Sequence, residues 1–472
     1  MVPRSRWRWA RPAVQAVFLL GFAALVLSVA RGWPLPVPGD LLLRFDPLIW
    51  LVGSVAARQA APYALFALTL LLATALVGRV FCGWVCPLGT AIDAAGPLGR
   101  RRAVRPWPGL KLWVLAALIA AAAAGANFAG WFDPLVIASR ALYLTFAPAA
   151  SGPAVLWAWA AVAAAVALAA LAPRFWCRAL CPLGAMLSLV ARWGPYRRHI
   201  GPSCAECGKC EPVCPMGQTP GRHSAGECLG CRRCEAACPR QSIVFRFHAV
   251  SANTASARAA EPGTRRRWLV ALAGVALGGV GGGWAWLKRS SDVLRPPGTP
   301  SEQHLLARCT GCGACLAVCP TGALTPQLSF ARPDAAFVPQ FVPRQGPCQP
   351  ECTACGAACS TGALARLTAD EKATVHIGLA EIDRSRCLPW ARGERCTICV
   401  DACPAAYDAL ALRSTEAGAF RPVVDESRCT GCGFCEHRCP LAAAAIRVVS
   451  RKVPFTTPRP RLRNAGGVQA YP

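Results

Sequence analysis

The chain alternates long apolar runs with polar, cysteine-rich stretches. Apolar runs lie at Ala13 to Ala30, Pro62 to Gly78, Leu110 to Phe128, Ala154 to Ala172 and Trp268 to Trp286. A helix needs roughly 17 to 25 apolar residues to cross a hydrocarbon layer, so each run predicts a transmembrane helix. Arg4, Arg6, Arg8 and Arg11 precede the first run and no small-residue cleavage site follows it, which makes it a retained anchor rather than a removed signal. Short β-rich pieces, SIVFRF from Ser242 and AIRVVS from Ala445, flank cysteine groups and predict ferredoxin-like hairpins.

The first four runs contain a repeat. FDPL at Phe45 to Leu48 recurs at Phe132 to Leu135, and each copy is followed by an apolar run and then a CxxxCPLG segment, FCGWVCPLG from Phe81 and WCRALCPLG from Trp176. Two copies of one loop-helix-cysteine unit predict a pseudo-twofold bundle with both cysteine pairs at the cytoplasmic ends of their helices.

Composition agrees with membrane residence: of 472 residues 54% are hydrophobic and 16% charged. Lys+Arg outnumber Asp+Glu by 51 to 24. No nucleic-acid partner is needed to explain this, because the basic residues flank the apolar runs. Arg100, Arg101, Arg102, Arg105 and Lys111, with Arg192, Arg197 and Arg198, would hold those flanks in the cytoplasm. The region from Pro202 to Arg267 is then cytoplasmic, and the fifth helix carries everything from about Lys288 to the opposite face.

The 28 cysteines recur in one regular pattern, unlike the disulfide framework of a small secreted domain. Cys204, Cys207, Cys210 and Cys214, then Cys228, Cys231, Cys234 and Cys238, give C-x2-C-x2-C-x3-C-P twice. Three close thiolates wrap one corner of a 4Fe-4S cubane and the fourth turns to the neighbouring cluster, so Cys238 should complete the first cluster and Cys214 the second. Zinc sites use two separated pairs instead. Four further groups follow: Cys309, Cys312, Cys315, Cys319; Cys348, Cys352, Cys355, Cys359; Cys387, Cys396, Cys399, Cys403; and Cys429, Cys432, Cys435, Cys439. The middle two have a stretched first gap, and Ser360 replaces the usual proline after Cys359. The expectation is six 4Fe-4S clusters.

Cys82, Cys86, Cys177 and Cys181 remain. If the repeat is symmetric they converge, as a further metal centre, as redox dithiols or as buried structural thiols. Asp46 and Asp133 of the FDPL copies are candidates for handling a quinone proton, or simply cap the next helix. No CxxCH is present for c-type haem, no HxxxH for b-type haem, and no dinucleotide fingerprint for NAD. TRRRWL at Thr264 to Leu269, before a Gly-rich apolar run, is similar to a twin-arginine export signal.

Residues 1 to about 250 resemble the NapH family of membrane ferredoxins: four helices, two CxxxCP motifs, then two cluster motifs. Residues 264 to 450 resemble its partner family, NapG with MauM, which carries a twin-arginine leader and four cluster motifs. The chain resembles a fusion of the two. The expected architecture is an α-helical membrane bundle, four helices plus one anchor helix, with α+β polyferredoxin domains on both sides. Its parts are a membrane domain (1–200), a cytoplasmic two-cluster ferredoxin (201–250), a linker (251–267), the fifth helix (268–287), a second linker (288–308), a periplasmic four-cluster domain (309–450) and a tail (451–472). By analogy with other four-cluster subunits, the outer two C-terminal groups would pair and the inner two likewise. The resemblance implies a quinol dehydrogenase component of the bacterial inner membrane that passes electrons from the quinol pool to a periplasmic reductase such as nitrate reductase. The competing readings are an accessory electron donor for maturing another metalloenzyme, and a ferredoxin:quinone-type reductase.

Overall fold

The computed structural model describes residues 5–33, 40–96, 109–150, 152–218, 225–247, 293–329, 332–414 and 420–450, with scattered helical residues between 276 and 283. Helix α1, Ser5–Arg31, is followed by α2 Pro47–Ala57, α3 Ala64–Val77, α4 Val80–Trp84 and α5 Pro87–Ala95. Next come α6 Leu110–Ala123, α7 Pro134–Phe146, α8 Gly152–Ala167 and α9 Pro182–Val190.

Among the described residues two helices, Ala10–Arg31 and Gly152–Ala170, are long and apolar enough to cross a membrane; they fall on the first and fourth predicted spans. The first begins at Ser5 rather than Ala13, which draws Arg11 into the helix; there its Nε donates to the Gly83 carbonyl at 3.1 Å and its Nη2 pairs with Asp93. The second and third spans are shorter than predicted, 14 residues each. Backbone conformation sets the limits. Tyr63 at φ 67 opens α3 and Gly78 at φ 75 closes it, while Gly125 at φ 88 turns the chain out of α6. The fifth predicted helix, Trp268 to Trp286, lies largely outside the described residues, as do the Arg100 to Arg105 loop, the TRRRWL segment and the tail after 450.

The sequence repeat is a structural repeat. Asp46 and Asp133 both stand at extended N-cap positions with proline next, and so do Cys86 and Cys181 at the starts of α5 and α9. Proline at the first helical position gives up an N–H that has no partner there, so DP and CP read as helix starts. The leucines and tryptophans of α1, α3 and α8 that do not enter the core, among them Leu20, Leu65, Leu72, Leu156 and Trp157, form an exposed apolar exterior.

Among the described residues, the cysteine-rich regions are built from short helices and four two-stranded antiparallel sheets. Strand β1, Tyr196–Ile200, pairs with β2, Ile243–Phe247, bracketing the first ferredoxin region. Then β3 Leu324–Pro326 pairs with β4 Pro339–Phe341, β5 Leu379–Ile382 with β8 Ile446–Val449, and β6 Leu410–Ser414 with β7 Phe420–Val424. SIVFRF and AIRVVS are strands as expected, but each pairs with a strand on the far side of its cysteine motifs rather than in a local hairpin.

The two ferredoxin regions dock at opposite ends of α6. At its start Lys111 Nζ meets Glu227 at 2.5 Å; just past its end Asn127 Nδ2 donates to the Ala307 carbonyl at 3.0 Å. With a rise of 1.5 Å per residue, α6 separates these contacts by about 21 Å. Arg140 of α7 ties the C-terminal region down: fully inside, it donates to the carbonyls of Gly311 at 2.7 Å and of Thr310 and Gly130 at 2.8 Å, and lies over the Phe337 ring.

Candidate iron–sulfur and thiol sites

In the first ferredoxin region Cys204, Cys207 and Cys210 line one cavity together with Cys238, and Cys228, Cys231 and Cys234 line another together with Cys214. Each run thus lends its fourth cysteine to its neighbour, as the spacing predicts.

The C-terminal region repeats this exchange twice, with different partners from those expected by analogy. Cys309, Cys312 and Cys315 face Cys359, and Cys348, Cys352 and Cys355 face Cys319. Cys387, Cys396 and Cys399 line a cavity with Cys439, and Cys429, Cys432 and Cys435 line one with Cys403. Groups adjacent in sequence therefore pair, correcting the expected pairing of outer with outer and inner with inner. Each fourth cysteine follows a short helix that ends beside the partner motif, the following one for Cys319 and Cys403 and the preceding one for Cys359 and Cys439. The two pairs join where the Cys348 N–H donates to the Cys432 carbonyl at 2.8 Å.

The local backbone suits cluster ligation. In CTGCGAC and CTGCGFC the glycines Gly311, Gly313, Gly431 and Gly433 all have positive φ, which lets the chain curl and offer successive thiols to one centre. Backbone N–H groups donate to sulfur, Gly311 to Cys309 at 3.4 Å, Ala409 to Cys403 at 3.3 Å and Ala445 to Cys439 at 3.4 Å. Such bonds stabilise charge on cluster sulfur. Burial pushes the thiols of Cys309 and Cys355 up to about 12 and that of Cys312 to about 11, so metal must displace protons on binding. Among the described residues no three Cys, His, Asp or Glu groups are arranged to hold a single metal ion.

Cys82, Cys86, Cys177 and Cys181 come together as symmetry requires. All four are buried in one apolar core, and each thiol interacts with the other three. Sequence reasoning missed the two arginines beside them. Arg79 and Arg174 each stand three residues before the first cysteine of their repeat, a register that was visible in the chain. Each reaches across to the other repeat. Arg79 Nη2 lies 2.7 Å from where a Cβ on Gly184 would stand, and Arg174 Nη2 lies 3.5 Å from where one on Gly89 would stand. Arg79 pairs with Glu227 at 2.8 Å and Arg174 with Asp93 at 2.6 Å.

Asp46 and Asp133 are helix caps. Asp46 Oδ1 accepts from Leu48 N–H at 2.8 Å and Ile49 N–H at 3.3 Å, and Asp133 Oδ1 from Leu135 and Val136 N–H at 2.9 Å. Both side chains are fully buried, and the two carboxyls face one another across the repeat.

Comparisons with known proteins bear on these sites. The family model for a 4Fe-4S binding domain matches residues 60–106 and 154–201, that for a 4Fe-4S dicluster domain matches 227–323 and 392–443, and a further 4Fe-4S binding domain matches 202–217. The chain is 39% identical over 171 residues to the methylamine utilization ferredoxin-type protein MauM of Methylophilus methylotrophus, covering 35% of this chain and 74% of that protein. It is 39% identical over 188 residues to MauM of Paracoccus denitrificans, covering 38% and 79%. It is 37% identical over 170 residues to the ferredoxin-type protein NapG of Escherichia coli K12, covering 34% and 72%. No solved structure matches. With cysteine groups of cluster spacing and these matches, the chain belongs to the family of ferredoxin-type iron–sulfur electron-transfer proteins that includes MauM and NapG.

Proposed function

We propose that the chain is a membrane-embedded quinol dehydrogenase component that takes electrons from quinol and delivers them to a periplasmic reductase. The observation that carries this reading is the order of the thiol sets in the C-terminal region. Cys312 packs against α1 and α7 through Phe22, Val26 and Tyr143. The set of Cys387, Cys396, Cys399 and Cys439 is bordered instead by the exposed residues Arg392, Glu394 and Arg395. One end of the series faces the helical domain and the other faces outward, as a route from a membrane donor to a soluble acceptor requires.

Six 4Fe-4S clusters would be held by the six sets described above, each supplying one-electron redox chemistry. The chain's own residues hold the sulfurs, exclude water and donate N–H groups to them. A cavity of about 560 Å³ at the junction of the helical and C-terminal regions is lined by Gln59, Ala124, Gln303, His304 and Ala307, two residues from Cys309. This is our choice for quinol entry; neither Asp46 nor Asp133 lines it. The apolar exterior of α1, α3 and α8 supports a bilayer location, with a NapH-like N-terminal half fused to a NapG-like C-terminal half. The first ferredoxin region would then be cytoplasmic and the second periplasmic, the latter exported through the twin-arginine machinery.

A second reading draws on the identity to MauM, whose name attaches it to methylamine utilization. The chain would then supply electrons for maturing another redox enzyme. Anaerobic EPR of the purified, oxidised protein before and after adding a reduced menaquinol or ubiquinol analogue separates the two. Cluster signals that develop on mixing support quinol oxidation. Clusters that are reduced by dithionite but by neither quinol reject it.

A further inference from the structure

The geometry points to a seventh iron–sulfur cluster, held jointly by Cys82, Cys86, Cys177 and Cys181 at the interface of the two repeats, with Arg79 and Arg174 as its charge partners. This goes beyond the quinol reading and does not depend on it.

Charge is the first argument. Arg11, Arg79, Lys111 and Arg174 are buried around the four thiols, and they share two carboxylates, Asp93 and Glu227. Two positive charges remain in excess in a site shielded from water. Neutral structural thiols would leave that excess uncompensated, which is strongly unfavourable. A 4Fe-4S cubane with four thiolate ligands carries roughly two negative charges and matches it.

Donor groups are the second argument. Arg79 is wholly buried, yet its Nε and Nη2 find no hydrogen-bond partner, while its charge faces Cys82, Cys177 and Cys181. Arg174 also turns its charge to Cys177 and Cys86, although its own donors are engaged by Asp93 and by the carbonyls of Cys82 and Gly89. The N–H groups of Gly89 and Gly184 point at the Cys86 and Cys181 sulfurs at 3.4 and 3.2 Å. Thiolate and sulfide acceptors would satisfy the orphaned guanidinium donors. Glycine at 184 is what lets Arg79 approach the opposite cysteine pair, and glycine at 89 leaves room for the Cys82 carbonyl, which a Cβ there would meet at 2.9 Å.

Position is the third argument. Leu229, inside the CxxC of Cys228 and Cys231, packs in the same core as the four thiols, and its carbonyl would lie 2.9 Å from a Cβ on Gly83. On the other side Phe81 packs both against this core and against the Leu135 and Val136 patch, which Cys312 also touches. The site stands between the two ferredoxin regions, where a relay is needed. The matched 4Fe-4S binding segments, 60–106 and 154–201, each contain one of the two cysteine pairs.

Iron and acid-labile sulfide, measured per chain on the anaerobically purified full-length protein, test the assignment without any quinol assay. The Cys86→Ser, Cys181→Ser double variant should lose one cubane's worth of both and one component of the redox-titrated EPR signal, with the other components unchanged. Unchanged iron and sulfide would overturn the proposal. Should the variant fail to fold, alkylation of the wild-type protein under anaerobic, non-denaturing conditions decides. The four cysteines should resist labelling until iron is stripped by a chelator. Labelling without iron loss, or recovery of these cysteines as disulfides by mass spectrometry, would reject the cluster.

Discussion

The Cys348 N–H donates to the carbonyl of Cys432 at 2.8 Å, joining two cysteine groups separated by a third in sequence. Cys348 belongs with Cys319, and Cys432 with Cys403, so this bond joins two dicluster units end to end. The sets therefore follow one another in space as those of Cys309, Cys348, Cys429 and Cys387. Spatial order and sequence order differ in the last two.

Ligand exchange between neighbours gives a specific prediction. Cys359→Ala should disturb the EPR component assigned to the Cys309 set and leave that of the Cys348 set largely intact, whereas Cys319→Ala should do the reverse. An effect of Cys359→Ala confined to its own motif would contradict the pairing.

Close approach at Gly130 predicts an undocking variant. A Cβ there would lie 2.0 Å from the Thr310 carbonyl and 3.0 Å from Arg140 Nη2. Gly130→Ala should destabilise the junction by about 1–3 kcal/mol. The expected sign is protease release of the C-terminal region at lower temperature than in wild type. Gly53→Ala in α2, where a Cβ meets nothing within 4 Å, is the control and should not lower that temperature, because alanine favours a helix interior over glycine.

Arg140 should be less replaceable than its charge suggests. Three backbone carbonyls depend on it, and each buried acceptor left unpaired costs about 1–3 kcal/mol. Arg140→Lys keeps the charge but not the planar fork, so it should recover only part of the stability lost in Arg140→Ala when thermal melts of the three proteins are compared.

The aspartate caps predict a graded series. Asp46→Ala should cost about 0.5–2 kcal/mol, as loss of an N-cap acceptor does, while Asp46→Asn keeps the cap. Two carboxyls that face each other can bond only if one holds a proton, and asparagine supplies a donor at that place. Asp46→Asn should therefore melt close to wild type.

Iron removal should affect the two kinds of domain differently. The C-terminal sheets have two strands of three to five residues each, too little to stand alone. Stripping the clusters should abolish the strand signal in far-UV circular dichroism and expose residues 309–450 to protease, while the helical signal of α1 to α9 persists.

Much of this could be read from the chain. The C-x2-C-x2-C-x3-C-P runs told both the cofactor and the crossing of Cys214 and Cys238, because three thiols on one curl leave the fourth pointing away. FDPL and CxxxCPLG told the repeat, since an acceptor followed by proline marks a helix start. The pairing of the four C-terminal groups was not legible, because it depends on where each short helix delivers its last cysteine. Nor were the helix lengths within Pro62 to Gly78 and Leu110 to Phe128, where left-handed residues such as Tyr63 and Gly125 end helices that hydrophobicity alone would extend. Arg140 looked like one more basic residue until its three carbonyls were seen to lie about 170 positions on, at Thr310 and Gly311, as well as nearby at Gly130.

Helix α6 meets one ferredoxin region through Lys111 in its first turn and carries at its far end Asn127, which meets the other, and so it works as a spacer with a fixed phase as well as a fixed length. Each added residue turns the far end by about 100° and moves it about 1.5 Å. A single insertion in this helix would swing Asn127 away from the Ala307 carbonyl while Lys111 stayed on Glu227. The two halves are geared to one another through a helix that carries no cysteine.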